Sequence, residues 1–423
     1  MKKRIYRGVN VKKVDVERLA DLVREKRMVF GLDVAKEAMV GSVAVDRDEV
    51  FLNVKWTHPV ETKELVELIT RLPAASIEVA MEPSGTYGDA LKYQFALRGV
   101  PVYRVSPKRS HDAAEVYDGV PSWHDVKSAG LIARLHLDGA SEPWRDRTDE
   151  ERKLAASIRT MEMYDGQESN NTNRLEALLA RHWPEATQHL RLKSATLVAM
   201  IKRFGSPQGV ARQASQAGAL IRRVGRGGVK EETIEAIVNS ASTTVGVPMI
   251  GAEIRMLQTL AEEILRCRKA ASKARASVEA LSEAHEAAGP MGQTIGKATA
   301  AVLVSKAGDP RDYASASSLV KSLGLNLKER SSGKHKGQLK ITKRGPSVCR
   351  YYLYLAALRL IQDDPVVRAW YDKKVARDGG RMKNKAVIAV VRKLVKGLWH
   401  VARGEPFDSR LLFDTSKLNL VQT

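Results

Sequence analysis

The rhythm of hydrophobic positions changes along the chain and divides it. Three short runs rich in Val and Phe, Met28–Val34, Ala38–Val45 and Glu49–Val54, are separated by polar, turn-like clusters, the pattern of strands. From Val60 to Leu72 the apolar residues move to helical spacing at Leu65, Val66, Leu68, Ile69 and Leu72. Ser76–Met81 is strand-like again, Thr86–Arg98 helical, Val100–Val105 strand-like and Pro121–Leu137 helical. Ahead of these, residues 1–27 hold ten Lys/Arg and four acids with little periodicity, a basic arm with a short helix at Val16–Arg24. After them, residues 139–150 read as a linker. A helix starts at Glu151 with Leu154, Ile158 and Met161 on one face, and breaks follow at His182–Pro184 and Phe204–Gly209. Arg222–Gly228 reads as a flexible basic loop. Ala252–Ala288 sets Ile254, Leu257, Ala261, Ile264, Ala271 and Val278 on a heptad seam that Arg268 and Arg275 interrupt. That stretch is either a coiled-coil hairpin or dimerisation arm, or an amphipathic helix on the molecule's own core.

The C-terminal part predicts helices at Ala298–Lys306, Ser315–Leu323, Ser347–Ile361, Val366–Ala376 and Asn384–Ala402, closed by a turn at Gly404–Asp408. The glycine-turned stretch Pro290–Lys297, at the start of the first of these helices, suits a backbone phosphate. Tyr351 and Tyr354 lie on a Tyr/Leu stripe that serves either base stacking or the core. In the first part the order is three strands, helix, strand, helix, strand, helix, which is that of a ribonuclease-H-like domain. The expected fold is therefore α/β plus all-α. Its expected divisions are a basic arm (1–27), the ribonuclease-H-like domain (28–150), a helical or coiled-coil middle (151–288) and a mainly helical C-terminal domain (289–423).

Length and composition narrow the class. A chain of 423 residues exceeds one ordinary core. No apolar run reaches membrane-spanning length, and the basic N-terminus lacks the apolar core of a secretory signal. Two distant cysteines, Cys267 and Cys349, suggest reduced thiols and a cytoplasmic protein. A net charge of +21 predicts a polyanionic partner, with nucleic acid the default.

Candidate chemistry lies in two places. In the first domain an ionised Asp33, inside the apolar run Val29-Phe-Gly-Leu-Asp-Val34, is costly unless paired or metal-bound. Glu82 follows a strand directly before Pro-Ser-Gly, and Asp125 opens the last helix. Converging carboxylates would hold Mg²⁺ (or Mn²⁺), although each acid alone has a structural reading; Asp125 could simply favour a helix N-terminus. In the second place, Glu329–Gly345 carries six Lys/Arg against one Glu around Ser331, Ser332 and Gly333. This is either a solvated loop touching nucleic-acid backbone or a phosphodiester site with an attacking hydroxyl.

Gly31-Leu-Asp-Val-Ala-Lys36, Glu82-Pro-Ser-Gly-Thr-Tyr87 and Asp118-Gly-Val-Pro-Ser-Trp-His-Asp-Val-Lys-Ser-Ala129 resemble the DEDD transposases of bacterial insertion sequences, the IS110 type. These are bridge-RNA-guided recombinases with an N-terminal RuvC-like domain. From about Pro290 to Phe413 the chain resembles the same family's transposase domain, with Ser332-Gly333 before Lys343-Arg344-Gly345. The resemblance implies Asp33, Glu82 and Asp125 as catalytic metal ligands. Ser128 stands where the family has a fourth acid, with Asp118 and Asp138 as candidate replacements. It further implies Ser332 as the nucleophile that becomes joined to DNA, with Ser331 one residue away as the other candidate. Arg330, Lys334, Lys336, Lys340, Lys343 and Arg344 would clamp phosphates, and in this part of the chain His335 is the one evident candidate for a base beside the serine. Implied partners are donor and target DNA, a structured non-coding guide (bridge) RNA and further copies of the chain, as dimer or tetramer. The catalytic site would be composite, from different protomers. The alternatives are a RuvC-like structure-selective nuclease using water, and a non-catalytic nucleic-acid-binding protein.

Overall fold

The computed structural model describes residues 7–45, 50–83, 85–116, 124–329, 337 and 339–418, in two compact units that meet in sequence at Asp146/Arg147.

The N-terminal unit is a mixed sheet with helices. Its elements are β1 (Val9–Asn10), α1 (Val16–Val23), β2 (Arg27–Asp33), β3 (Ala38–Ala44), β4 (Val50–Thr57), α2 (Thr62–Thr70), β5 (Ser76–Met81), α3 (Asp89–Ala96), β6 (Val102–Val105), α4 (Pro107–Asp112), α5 (Asp125–Leu137) and β7 (Ser141–Pro143). The strand order is β1-β4-β3-β2-β5-β6-β7. Strands β2, β3 and β4 are antiparallel neighbours, whereas β5 and β6 join β2 in parallel. The central five strands are thus compatible with a ribonuclease-H-like sheet. β2 is buried on both faces, which explains its near-continuous apolar run. Met28, Phe30 and Leu32 enter a core with Leu65, Val66 and Ile69 of α2 and Leu91 and Phe95 of α3. Val29 turns the other way, into a core with Ala80, Leu131, Ile132 and Leu135 that is roofed by α5.

The C-terminal unit is helical. It begins with α6 (Asp149–His182), and four short helices and a longer one carry the chain back: α7 (Ala186–His189), α8 (Ala195–Phe204), α9 (Pro207–Arg212), α10 (Ala214–Gly225) and α11 (Glu231–Thr243). Then come α12 (Gly251–Glu283), α13 (Ala288–Ile295), α14 (Lys297–Ala307) and α15 (Ala316–Ser322). A two-stranded hairpin, β8 (Leu327–Lys328) and β9 (Lys340–Ile341), leads to α16 (Ser347–Asp363), α17 (Pro365–Arg377) and α18 (Lys383–Val401). A Thr148/Glu151 capping box starts α6, the reciprocal arrangement that satisfies two orphan N–H groups. Its partner is α12, whose Leu257, Ala261, Ile264, Ala271 and Val278 are buried as the heptad seam predicts. Arg268 and Arg275, the interruptions, pair with Glu168 and Asp165 of α6. The seam therefore faces a helix of the same chain. The main core joins α13–α18 with Leu154, Ile158 and Met161 of α6, and a second core serves α8–α11.

Several expectations need correction. The 139–150 linker contains β7, and α6 begins within it, because Thr148 is a cap. Arg222 and Arg223 are not in a flexible loop: both end α10, and Arg222 is paired with Glu231. Pro290–Ile295 is helical, so the glycine turn before α14 is Gly296 alone, with φ +87°. Cys267 and Cys349 are both buried and unbridged.

Candidate active site

Alternation along the strands decides which side chains share a face. In β2, Val29, Gly31 and Asp33 point to the side roofed by α5; in β5, the same parity takes Glu78, Ala80 and, just past the strand end, Glu82. Helix α5 runs back over these strands. Its N-terminal turn, with Asp125 and Ser128, lies over the end of β2, and its last turn, with His136, lies over Glu78. Gly31 makes the close approach feasible. A Cβ there would come within 2.4 Å of the Ala129 carbonyl oxygen and 2.5 Å of the Ala133 nitrogen. Strand and helix backbones thus meet, and the acids are held at one corner.

The acids at this corner are electrostatically coupled. Asp33 is half-buried, and its carboxyl is pushed up to about 6, first by burial and then by the charges of Asp125 and Glu82. The Ser128 hydroxyl works in the opposite direction by donating to the Asp33 carboxylate. Ser128 itself is buried, whereas Asp125 is exposed and Glu82 half-buried. An excess of negative charge around a partly desolvated carboxylate is an environment that a cation would relieve. Among the described residues no three His, Cys, Asp or Glu side chains stand close enough to cage an ion directly. Mg²⁺ retains waters and takes one or two carboxylates directly, so spaced acids on one face suit it better than a closed cage would. Asp138 cannot replace the fourth acid: it caps the far end of α5, about 20 Å of helix from Asp125. Asp118 lies outside the described residues.

The second candidate region is described only at its base. Arg330, Ser331, Ser332, Lys334, His335 and Lys336 lie outside the described residues. The hairpin that carries them pairs Leu327 with Ile341 and Lys328 with Lys340. It is fastened below by Thr342 N–H to the Asn326 carbonyl (2.9 Å) and by Lys343 N–H to the Gly324 carbonyl (2.9 Å). Gly324 has φ +66°, and a Cβ on it would strike the Arg344 backbone at 2.4 Å. Arg350 donates to the carbonyls of Leu323 and Gly345, tying the base to α16. Lys343 is held at φ +56°, a left-handed conformation uncommon for a side chain of its size. Lys340, Lys343 and Arg344 are all exposed beside the hairpin.

Residues 30–184 match a family model for a transposase of the DEDD IS110 type, and residues 293–372 match one described as transposase, IS116/IS110/IS902 family. A protein described as the uncharacterized 43.6 kDa protein of insertion element IS110 in Streptomyces coelicolor is 23% identical over 321 residues, covering 70% of this chain and 75% of the relative. The chain is an insertion-sequence transposase of the IS110 family. An uncharacterized 42 kDa protein of insertion element IS900 in Mycobacterium paratuberculosis is similar over a shorter stretch, 36% identical across 101 residues, or 24% of this chain and 25% of that one. A transposase acts on DNA, and the DEDD domain of the family suggests use of a divalent metal. No helix among the described residues is long and apolar enough to cross a membrane.

One partly buried network of this IS110-family chain left no mark in the sequence pattern. His136 is sandwiched between Glu78, 2.6 Å from its Nε2, and the Ser141 hydroxyl, 2.6 Å from its Nδ1, with the Tyr103 ring 4.4 Å away. Arg27 closes the set with two hydrogen bonds to Glu78 (2.8 and 3.0 Å) and, with His136, holds that carboxyl below its usual range. The network sits at the end of α5 opposite the acids, and it fastens the short edge strand β7 and the last turn of α5 to the sheet. A His and a Glu 58 residues apart give no local signal.

Proposed function

We propose that this transposase cuts and rejoins donor and target DNA through a covalent serine–DNA intermediate, guided by a structured RNA. Asp33, Glu82 and Asp125 would hold Mg²⁺, with Ser128 orienting Asp33. The observation that carries the reading is the meeting of Asp33 and Glu82, on one face of the sheet, with Asp125 on the helix above them; burial and then these two charges keep Asp33 protonated up to about pH 6. Bound there, the metal would supply charge neutralisation for a phosphodiester whose negative charge grows in the transition state.

The chain's own groups account for the rest. Ser332 is the proposed nucleophile. Its oxygen forms a bond to phosphorus, the bond to the leaving deoxyribose oxygen breaks, the serine proton passes to a base and the leaving oxygen is protonated. Because one phosphodiester is exchanged for another, rejoining by the reverse attack needs no nucleotide cofactor. Lys340, Lys343 and Arg344 flank the loop as exposed cations and support the phosphate-clamp reading. The net charge of +21 supports dispersed backbone contacts, which suit a protein that leaves sequence recognition to base pairing.

The test is strand joining with labelled donor and target DNA, with and without an RNA transcribed from the element's non-coding end, in Mg²⁺ or chelator. Joined product that needs both the RNA and the metal, and that Glu82→Gln abolishes, is expected. Hydrolysed ends without joining would replace the reading with a nuclease.

A further inference from the structure

A groove of about 1170 Å³ runs beside the β8–β9 hairpin, between it and the α16, α17 and α18 helices. Its lining is of two kinds. Apolar lining comes from Leu327, Leu339, Ile341, Met382, Ile388 and the ring of Tyr354. Leu339 and Met382 are 54% and 52% exposed although both are large and apolar. The rest of the lining is largely cationic. Among the described residues seven basic side chains line the groove against one carboxylate, Asp378. Lys374, at 3.1 Å, is the close partner of that carboxylate, and Arg377 and Lys385 stand off at 3.9 Å. Arg392 lines the groove with a buried Nε that has no hydrogen-bond partner among the described residues. A Tyr354 hydroxyl donating to Asn384 Oδ1 at 3.0 Å holds the ring at the wall.

Charge alone would suit a duplex backbone, but a duplex presents phosphates on a convex surface and keeps its bases stacked inside. A concavity lined by both apolar and basic side chains matches a strand whose bases are unstacked: phosphates on the cations, base faces on Tyr354 and the aliphatic side chains. The volume exceeds the upper end of small-ligand pockets, about 300–1,000 Å³, and leaves room for more than one nucleotide. We propose that this groove binds a single-stranded nucleic-acid segment with its bases out of the stack, next to the hairpin. The proposal deepens the recombinase reading, since a strand being exchanged must leave its duplex, and it names the substrate form that the groove receives.

The test is photocrosslinking in chelator, where neither metal nor the serine chemistry contributes, so a failure of the recombinase reading leaves it readable. Twelve-nucleotide strands of DNA and of RNA carry 5-iodouracil and are compared with their duplexes; anisotropy then compares each strand with one in which abasic spacers replace every base. Expected are crosslinks on Tyr354 or Met382 from single strands and not from duplexes, and about tenfold weaker binding of the abasic strand. Met382→Asp and Leu339→Asp, both at exposed positions, should remove the crosslink while leaving the circular-dichroism melt unchanged. Arg377→Glu should weaken both the natural and the abasic strand. The DNA and RNA arms decide which strand the groove prefers. Crosslinks that map only elsewhere, equal capture of duplex, or equal binding of the abasic strand would overturn the proposal.

Discussion

Asp33 carries the conflict between stability and chemistry in this molecule. Its carboxyl ionises near 3.8 in an unfolded chain and at about 6 in the fold. The folded state therefore binds the extra proton between those values, and stability falls as pH rises through that window, with the whole penalty present above pH 6. The displacement corresponds to about 3 kcal/mol at full effect, and solvent screening of a half-buried group reduces this to about 1–2 kcal/mol. Asp33→Asn should thus raise the thermal midpoint of the N-terminal unit by a few degrees at pH 7.5 in chelator, give no gain at pH 4, and abolish strand joining. Calorimetry at the two pH values checks it; a gain at both would point to packing rather than charge. Gly31 is the steric counterpart. Gly31→Ala puts a methyl against backbone on α5, at 2.4 Å from the Ala129 oxygen. The expected cost is about 1–3 kcal/mol by denaturant titration. Weaker metal binding by isothermal calorimetry should follow, because α5 must lift away from Asp33. The acids were legible in the sequence because each sits at the end of a strongly patterned element. The Ser128–Asp33 hydrogen bond was not, since a serine in a helix leaves its partner unspecified.

At the scale of elements, α5 joins two sites at its two ends. The N-terminal turn faces the acids, and the last turn is locked to the sheet by His136, Glu78 and Arg27. Glu78 is held below its ordinary 4.5, chiefly by its hydrogen bond to Arg27 and then by His136. A depressed carboxyl contributes stability that is full above 4.5 and lost as pH falls below it toward the folded value. Thermal midpoints measured from pH 6 down to pH 3 should show a steep acid limb that Glu78→Gln flattens. An unchanged limb would assign the acid sensitivity to other carboxylates. The central strands and the long helices followed from their hydrophobic period. What escaped were β1 and β7, of two and three residues, too short to show an alternation. Helix α3 starts at Asp89 rather than Thr86, because Gly85 at φ +64° and the turn after it consume the intervening residues. The seam of α12 was readable, but its partner was not. Periodicity tells which face is buried and is silent about what covers it.

At the scale of the molecule, the charge of +21, the mixed sheet and the helical unit belong to one IS110-family transposase. The division at Asp146/Arg147 falls within the 139–150 stretch that reads as a linker, but the groove beside the hairpin could not be read from the chain. The groove draws on segments from Leu327 to Arg392, and only the fold brings their basic and apolar side chains together. Composition announced a nucleic-acid partner without locating its surface. The central claim is that the serine becomes joined to DNA in a reaction that depends on the acids, and a denaturation-resistant adduct measures it most directly. The chain is incubated with Mg²⁺, the element's RNA and labelled donor and target DNA, beside Ser331→Ala, Ser332→Ala and Asp33→Ala. The account predicts an adduct that Ser332→Ala and Asp33→Ala abolish and Ser331→Ala leaves in place. DNA cleavage with no adduct in any of the four proteins would contradict it.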